Sequence, residues 1–263
     1  MASRPSQIAA SFVALVDTVA RLRRDCPWDR EQTSKSIMPF LIEETYEVLE
    51  ALESEQPDEV RGELGDLLLQ ILLHAELASE RSEFDVGDVI EGVRSKMVRR
   101  HPHVFGNVSV ASTGEVLENW SAIKTAERRA ASKDASTLAG VPPALPSLLR
   151  AERLGEKASR VGFDWEAPRD VLGKVREEIA ELEAALASGS TAEIEGELGD
   201  CLFALASLGR KAGISAELAL TRALDRFVRR FHDVEDGLER SGRSIRDASR
   251  EELEALWQEA KRR

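Results

Sequence analysis

The chain is poor in the residues that build cross-linked or strand-rich proteins. It contains two cysteines, Cys26 and Cys201, and neither sits in a CxxC or zinc-finger spacing. A disulfide scaffold is therefore excluded, and both thiols are expected as small buried hydrophobes in a protein of the reducing cytoplasm. Aromatic residues amount to 5% and tyrosine occurs once, so strand signals are scarce. No apolar run approaches the roughly 20 residues that a membrane helix needs. The first segment, MASRPSQIAASFVALVDTVARLRR, is amphipathic, and Asp17 interrupts its apolar stretch, which argues against a signal peptide and for an unprocessed, soluble protein. Walker A, GxGxxG and GxSxG elements are missing as well, which removes P-loop, Rossmann and serine-hydrolase chemistry. Positive charge is also in deficit: 36 Lys and Arg against 48 Asp and Glu give a net charge of −12. A nucleic-acid polymer is a poor partner for such a surface, and any phosphate-bearing ligand needs local cations or metal ions.

What is present is helix-forming: 42% apolar and 32% charged residues, rich in Ala, Leu, Glu and Arg, over 263 positions. That length suits two compact units better than one. A shift of 134 residues lays the second half on the first, matching Glu43, Glu44, Glu47, Glu63 and Asp66 with Glu177, Glu178, Glu181, Glu197 and Asp200. The stretch Glu63-Leu64-Gly65-Asp66 recurs letter for letter as Glu197-Leu198-Gly199-Asp200, and Gly62 falls on Gly196. Trp120 and Lys124 meet Trp257 and Lys261 at a slightly different shift of 137. Between the copies lies SKDASTLAGVPPALP, whose three prolines break helical periodicity. We therefore expect an all-α chain of two helical modules, 1–131 and 147–263, joined by a linker at 132–146.

Apolar spacing predicts helices over Phe12–Arg24, Ile37–Glu53, a segment carrying Leu64 to Leu72, and Val86–Arg100. The second copy repeats the plan over Val171–Leu186, Ala192–Ala212 and Ala216–Glu239. Pro57 and a Ser190/Glu193 capping box are expected to start the third helix of each copy. The glycines Gly62, Gly65, Gly196 and Gly199 are read as points of close helix approach, because glycine within a helix otherwise only costs stability.

Residues three and four apart share a helix face, so Glu44 and Glu47 project together, as do Glu63 and Asp66. A hairpin between the two segments brings four carboxylates around one point. Hard divalent cations relieve that repulsion, and all-oxygen ligation suits magnesium, with manganese as a substitute. A di-iron site would require an ExxH pair that neither copy contains. His74 is given a core or helix-surface role. Downstream, Lys96, Arg99 and Arg100, and again Arg226, Arg229 and Arg230, supply cations at helical spacing for phosphate oxygens. Trp28, Trp120, Trp165 and Trp257 occur two per copy and serve either as anchors or as stacking surfaces for a base.

These residues together resemble the MazG family of nucleoside triphosphate pyrophosphohydrolases in its two-domain form. The resemblance rests on Cys26-Pro-Trp28-Asp29-x-Glu31-Gln32-Thr33, Leu41-Ile42-Glu43-Glu44-x-Tyr46-Glu47, Glu63-Leu-Gly-Asp66 and Arg100-His101-Pro102-His103-Val104-Phe105-Gly106. In the second copy it rests on Val161-Gly162-Phe163-Asp164-Trp165, Lys174-x-x-Glu177-Glu178-x-x-Glu181 and Glu197-x-x-Asp200. It implies an all-α NTP pyrophosphatase fold, a homodimer, Mg²⁺, and hydrolysis of an NTP or dNTP to monophosphate and pyrophosphate. By motif, Glu44, Glu47, Glu63, Asp66, Glu178, Glu181, Glu197 and Asp200 would ligate metal, and Glu43 and Glu177 would assist catalysis. The implied substrate contacts are Lys96, Arg99, Arg100, Lys174, Arg226, Arg229, Arg230, Trp28, Trp257 and Lys261. Arg226 stands where the family commonly has Lys, which keeps the charge. A dUTP-specific or phosphoribosyl-ATP pyrophosphohydrolase would share the ligands, and a non-catalytic helical nucleotide-binding dimer is the alternative from another class.

Overall fold

The computed structural model describes residues 4–130 and 136–262. Among them are twelve α-helices, a 3₁₀ turn and no strand. The chain divides into two compact units, Met1–Trp120 and Ser121–Arg263. The first holds α1 (Pro5–Asp25), α2 (Pro27–Glu31), α3 (Met38–Ser54), α4 (Pro57–Glu80), α5 (Val86–Arg100), α6 (Pro102–Phe105) and the start of α7 (Thr113–Ala130). The second holds the rest of α7, α8 (Ser147–Ser159), α9 (Pro168–Ser188), α10 (Thr191–Lys211), α11 (Ala216–Glu239), the 3₁₀ turn Ile245–Asp247 and α12 (Arg250–Ala260). The division thus falls within α7. Of the proline-bearing segment, 132–135 lie outside the described residues, and 136–146 form turns that lead into α8.

The long helices follow the apolar spacing, and α5 and α11 have the expected bounds. Helix α1 starts seven residues earlier than Phe12, at Pro5, whose fixed φ suits a first helical turn. Helices α7, α8 and α12 and the short α2 and α6 were not anticipated. The short α2 and α6 span too few residues to show a period, whereas α8 carries Ala151, Leu154 and Ala158 at spacings of three and four, a periodicity left unread.

In the first unit, α3 packs along α4, and α1 lies against α4. Val19, Ile37, Leu72, Leu73 and Leu77 form the buried centre, with Phe12, Val16, Phe40, Leu68 and Val86 packed around it. Each such side chain contributes on the order of 1.5–3 kcal/mol. Arg23, with a side chain 6% exposed, clamps Glu80 through two bonds of 2.7 and 2.8 Å. Its Nη1 also donates to the carbonyls of Asp29 and Gln32, which ties the α2 turn to both long helices. In the second unit α9 packs along α10, which also meets α8 and α11, while α12 covers α11. Val171, Val175, Ala185, Ala204, Ala206, Val234 and Leu238 are buried there. Arg210 and Lys211, at the end of α10, both hold Asp164 in the turn before α9; the Lys211 bond is 2.9 Å.

Both helical hairpins turn by the same device. In α3–α4 the Ser54 hydroxyl donates to Glu59 at 2.7 Å and accepts from the Gln56 N–H at 3.2 Å. In α9–α10 the Ser188 hydroxyl donates to Glu193 at 2.8 Å and accepts from the Ser190 N–H at 3.2 Å. The chain reverses through a left-handed residue, Gly189 at φ 73° in one copy and Glu55 at φ 55° in the other. Glycine adopts that region without a Cβ penalty, and glutamate does not. The expected capping box is half formed. The Ser190 hydroxyl accepts from the Glu193 N–H, but the Glu193 carboxylate turns to Ser188 instead of the Ser190 backbone.

Two expectations are corrected. A Cβ added at Gly62, Gly65, Gly196 or Gly199 would meet nothing within 4 Å, so none marks a close approach of helices within the described chain. The apolar spacing also puts Ile42, Leu52 and Leu64 on or near the core-facing stripes of their helices, yet they are 57%, 54% and 50% exposed. The apolar stripe of each hairpin is wider than one partner helix covers, so part of it faces outward.

Candidate metal centre

The hairpins place one carboxylate oxygen each from Glu44, Glu63 and Asp66 within 4.8 Å of one another, and do the same for Glu178, Glu197 and Asp200. One member comes from the first helix of the hairpin and two from one face of the second, as the three-residue spacing of Glu63 and Asp66, and of Glu197 and Asp200, dictates. Glu47 and Glu181 stand one turn on and touch Glu44 and Glu178 respectively. Burial first, and then the charges of Glu47 and Asp66, raise the Glu44 pKa. Burial and contact with Glu178 raise that of Glu181. Carboxylates crowded in this way favour any arrangement that adds positive charge among them.

The two copies answer that demand differently. In the second, Lys174 lies 2.7 Å from Glu177 and 2.8 Å from Glu178, and these two bonds raise its pKa. Glu178 itself is 6% exposed, so the lysine is the counter-ion of a buried carboxylate. In the first copy the matching position is Phe40, which packs at 6.1 Å against Trp28. There the Glu44 carboxyl is met by the Gln70 amide, a residue 7% exposed whose Oε1 has no partner among the described residues. The His74 Nε2, one turn further along α4, is likewise buried without a partner. Sequence reasoning missed Gln70. Its signal was a lone amide within the apolar run of α4, one turn after Asp66.

The remaining candidates are distributed as follows. Glu43 is exposed on α3, and Glu177 is held by Lys174. Lys96, Arg99 and Arg100 occupy the last turns of α5, next to His101 and its ring contacts with Trp120 and His103, each at 5.6 Å. Arg226, Arg229 and Arg230 lie on α11. Trp257 tilts against Phe227 of that helix at 5.2 Å, and Lys261 sits 5.9 Å above the Trp257 ring. Trp28 is 55% exposed. The structure therefore joins Lys174 to the carboxylates, and Trp257 to Lys261 and α11. Lys174 reaches a cluster directly, through Glu178.

An all-α chain with tandem helical-bundle modules, each hairpin gathering its carboxylates, is of the all-α NTP pyrophosphatase type. Within that class the chain belongs to the MazG family. The model of the MazG nucleotide pyrophosphohydrolase domain matches residues 32–105 and 167–235. A nucleoside triphosphate pyrophosphohydrolase of Escherichia coli strain K12 is 43% identical over 253 residues, covering 94% of this chain and 96% of that one. A nucleoside triphosphate pyrophosphohydrolase/pyrophosphatase MazG of Thermotoga maritima is 40% identical over 252 residues, 95% of each chain. A crystal structure of a mazG-related protein from Thermotoga maritima aligns with 42% of this chain and 96% of that one, at 28% identity and a TM-score of 0.38.

Proposed function

We propose that the protein is a magnesium-dependent nucleoside triphosphate pyrophosphohydrolase that cleaves between the α and β phosphates. The observation that carries this reading is the pair of convergent carboxylate clusters, one of them with a lysine already inserted. Three hard oxygen donors within 4.8 Å suit Mg²⁺ or Mn²⁺ rather than zinc or copper. Glu44, Glu63 and Asp66, and Glu178, Glu197 and Asp200, would hold the ion, with Glu47 and Glu181 completing each set. When bound, a divalent ion supplies polarisation of phosphate oxygens and a more acidic water.

The chain's own residues do the rest. Lys174 exchanges its carboxylate partners for a phosphate oxygen when ligand enters, which keeps the charge balanced. Glu177, released from Lys174, and Glu43 in the other copy accept the proton of the attacking water. Arg226, Arg229 and Arg230, and Lys96, Arg99 and Arg100, neutralise the departing pyrophosphate, while Trp257 with Lys261 and Trp28 offer faces for the base. The modules span 1–131 and 147–263, with 132–146 as the connection. The outward apolar residues Ile42, Leu64, Ile179 and Leu198, 46–57% exposed, support a homodimer that covers them. No described helix is long and apolar enough to cross a membrane, consistent with a cytoplasmic site of action.

Product analysis tests the proposal. Each NTP and dNTP is incubated with protein and Mg²⁺ and resolved by anion exchange, beside a Glu63→Gln, Glu197→Gln double variant and an EDTA control. Monophosphate plus pyrophosphate, lost in both controls, is expected, and the panel ranks the bases, dUTP and phosphoribosyl-ATP included. Diphosphate plus phosphate would place the cut at another bond. Binding without turnover would convert the reading to a nucleotide-binding dimer.

A further inference from the structure

The second unit holds a concentration of cations that the carboxylate chemistry does not use. A cavity of about 230 Å³ lies between the later part of α7, the turn at 140–145 and α8. Lys124, Arg153, Lys157 and Arg160 line it, with Glu156 as the acid in its wall and Val141 among the apolar residues. Glu156 is committed to Arg153 at 2.6 Å, so that pair cancels. Lys157 is in the opposite situation. Burial and then the like charges of Lys124, Arg160 and Arg128 lower its pKa. Arg128 reaches this place because Gly140, at φ +82°, has no Cβ; a side chain there would collide with the guanidinium. Arg160 is steadied by donating from Nη1 to the Ser121 hydroxyl at 3.4 Å.

Like charges gathered at a half-buried lysine disfavour its charged form, and an arriving anion reverses that. The cavity indicates which anion. It is smaller than the roughly 300–1,000 Å³ of pockets that engulf a drug-sized ligand, so it suits phosphate groups without a base and sugar. Lys157 and Arg160 both line this small space, and two cations match the multiple charge of a diphosphate better than a single phosphate. We propose that this basin is a second anion site that holds a pyrophosphate group, either free or as the tail of a nucleotide, with Lys157 and Arg160 as its principal contacts. An arginine fork suits the paired oxygens, and the lysine acts as a point charge. None of its lining residues belongs to a carboxylate cluster, so binding there does not depend on turnover.

Calorimetric titration of the full chain with inorganic pyrophosphate in EDTA tests the inference. Binding is expected to persist in a Glu178→Gln, Glu197→Gln variant, to weaken at least about tenfold in Lys157→Gln, Arg160→Gln, and to stay within about threefold in Lys157→Arg. Orthophosphate is expected to bind about tenfold more weakly. Thermal melts establish that each variant is folded, and the single Lys157→Gln replaces the double variant if that one is not. Loss of ATP binding in the same variant adds the nucleotide tail as a source, and unchanged ATP binding restricts the site to free pyrophosphate. Absence of pyrophosphate binding in EDTA, or equal affinity in the wild-type and Lys157→Gln proteins, would overturn the assignment. Because activity is not the readout, failure here leaves the proposed hydrolase untouched, and an inactive enzyme leaves this site testable.

Discussion

The two hairpins share their carboxylates and differ in what stands beside them. The α9–α10 copy sets Lys174 against Glu177 and Glu178. The α3–α4 copy has Phe40 at the matching position and a buried Gln70 amide on Glu44, where the other copy has Ala204. An amide stabilises one carboxylate geometry but carries no charge to hand to a phosphate chain. A lysine does both. On the function proposed above, that difference makes the second copy the faster of the two.

The largest expected effect tests that division directly. Glu197→Gln is expected to lower kcat of NTP hydrolysis at least about 100-fold, and Glu63→Gln less than about tenfold, since the second site alone has its lysine. Equal losses would end the comparison. Lys174→Met sharpens it, with an expected loss of about tenfold measured at saturating Mg²⁺.

Next in size is the clamp that anchors α10. Arg210 first, and then Lys211, hold the Asp164 carboxyl down at about 2. A carboxylate depressed below its unfolded value of roughly 3.9 adds stability above that pH and loses it as the pH falls toward the folded value. Asp164→Asn is therefore expected to cost on the order of 1–2 kcal/mol at pH 7 in urea unfolding. The gap from wild type should close between about pH 4 and pH 2. A gap independent of pH would assign the loss to packing.

The hairpin turns offer a smaller, symmetrical test. Gly189→Ala places a Cβ in the left-handed region and is expected to cost about 1 kcal/mol. Glu55→Gly relieves the same strain in the other copy and is expected to gain a few tenths of a kcal/mol, because the more flexible unfolded chain offsets part of the relief. Thermal melts of both variants measure the pair. The smallest effect concerns the thiols. Cys201 is 7% exposed and its pKa is raised, by burial first and then by the neighbouring carboxylates, whereas Cys26 is half-buried. A disulfide reagent is expected to label Cys26 in the native protein and Cys201 only after unfolding. Prompt labelling of both would mean that α10 opens readily.

The duplication, the long central helices and the positions of the carboxylates were legible from the chain alone, because each depends on local periodicity. The contact of Lys174 with Glu177 and Glu178 is local in the same sense, three and four residues apart on one helix. Tertiary structure decided what periodicity cannot express. Arg23 meets Glu80 across 57 residues, and Arg210 meets Asp164 across 46. The amide of Gln70 points at Glu44, Gly62 and Gly199 face open space, and Lys157 collects Lys124 and Arg128 from α7 as its cationic neighbours. Helix propensity and face are set by neighbours within a turn or two. Burial, exposure and the charge around a side chain are set by whichever distant segment packs against it, and that is a property of the folded chain.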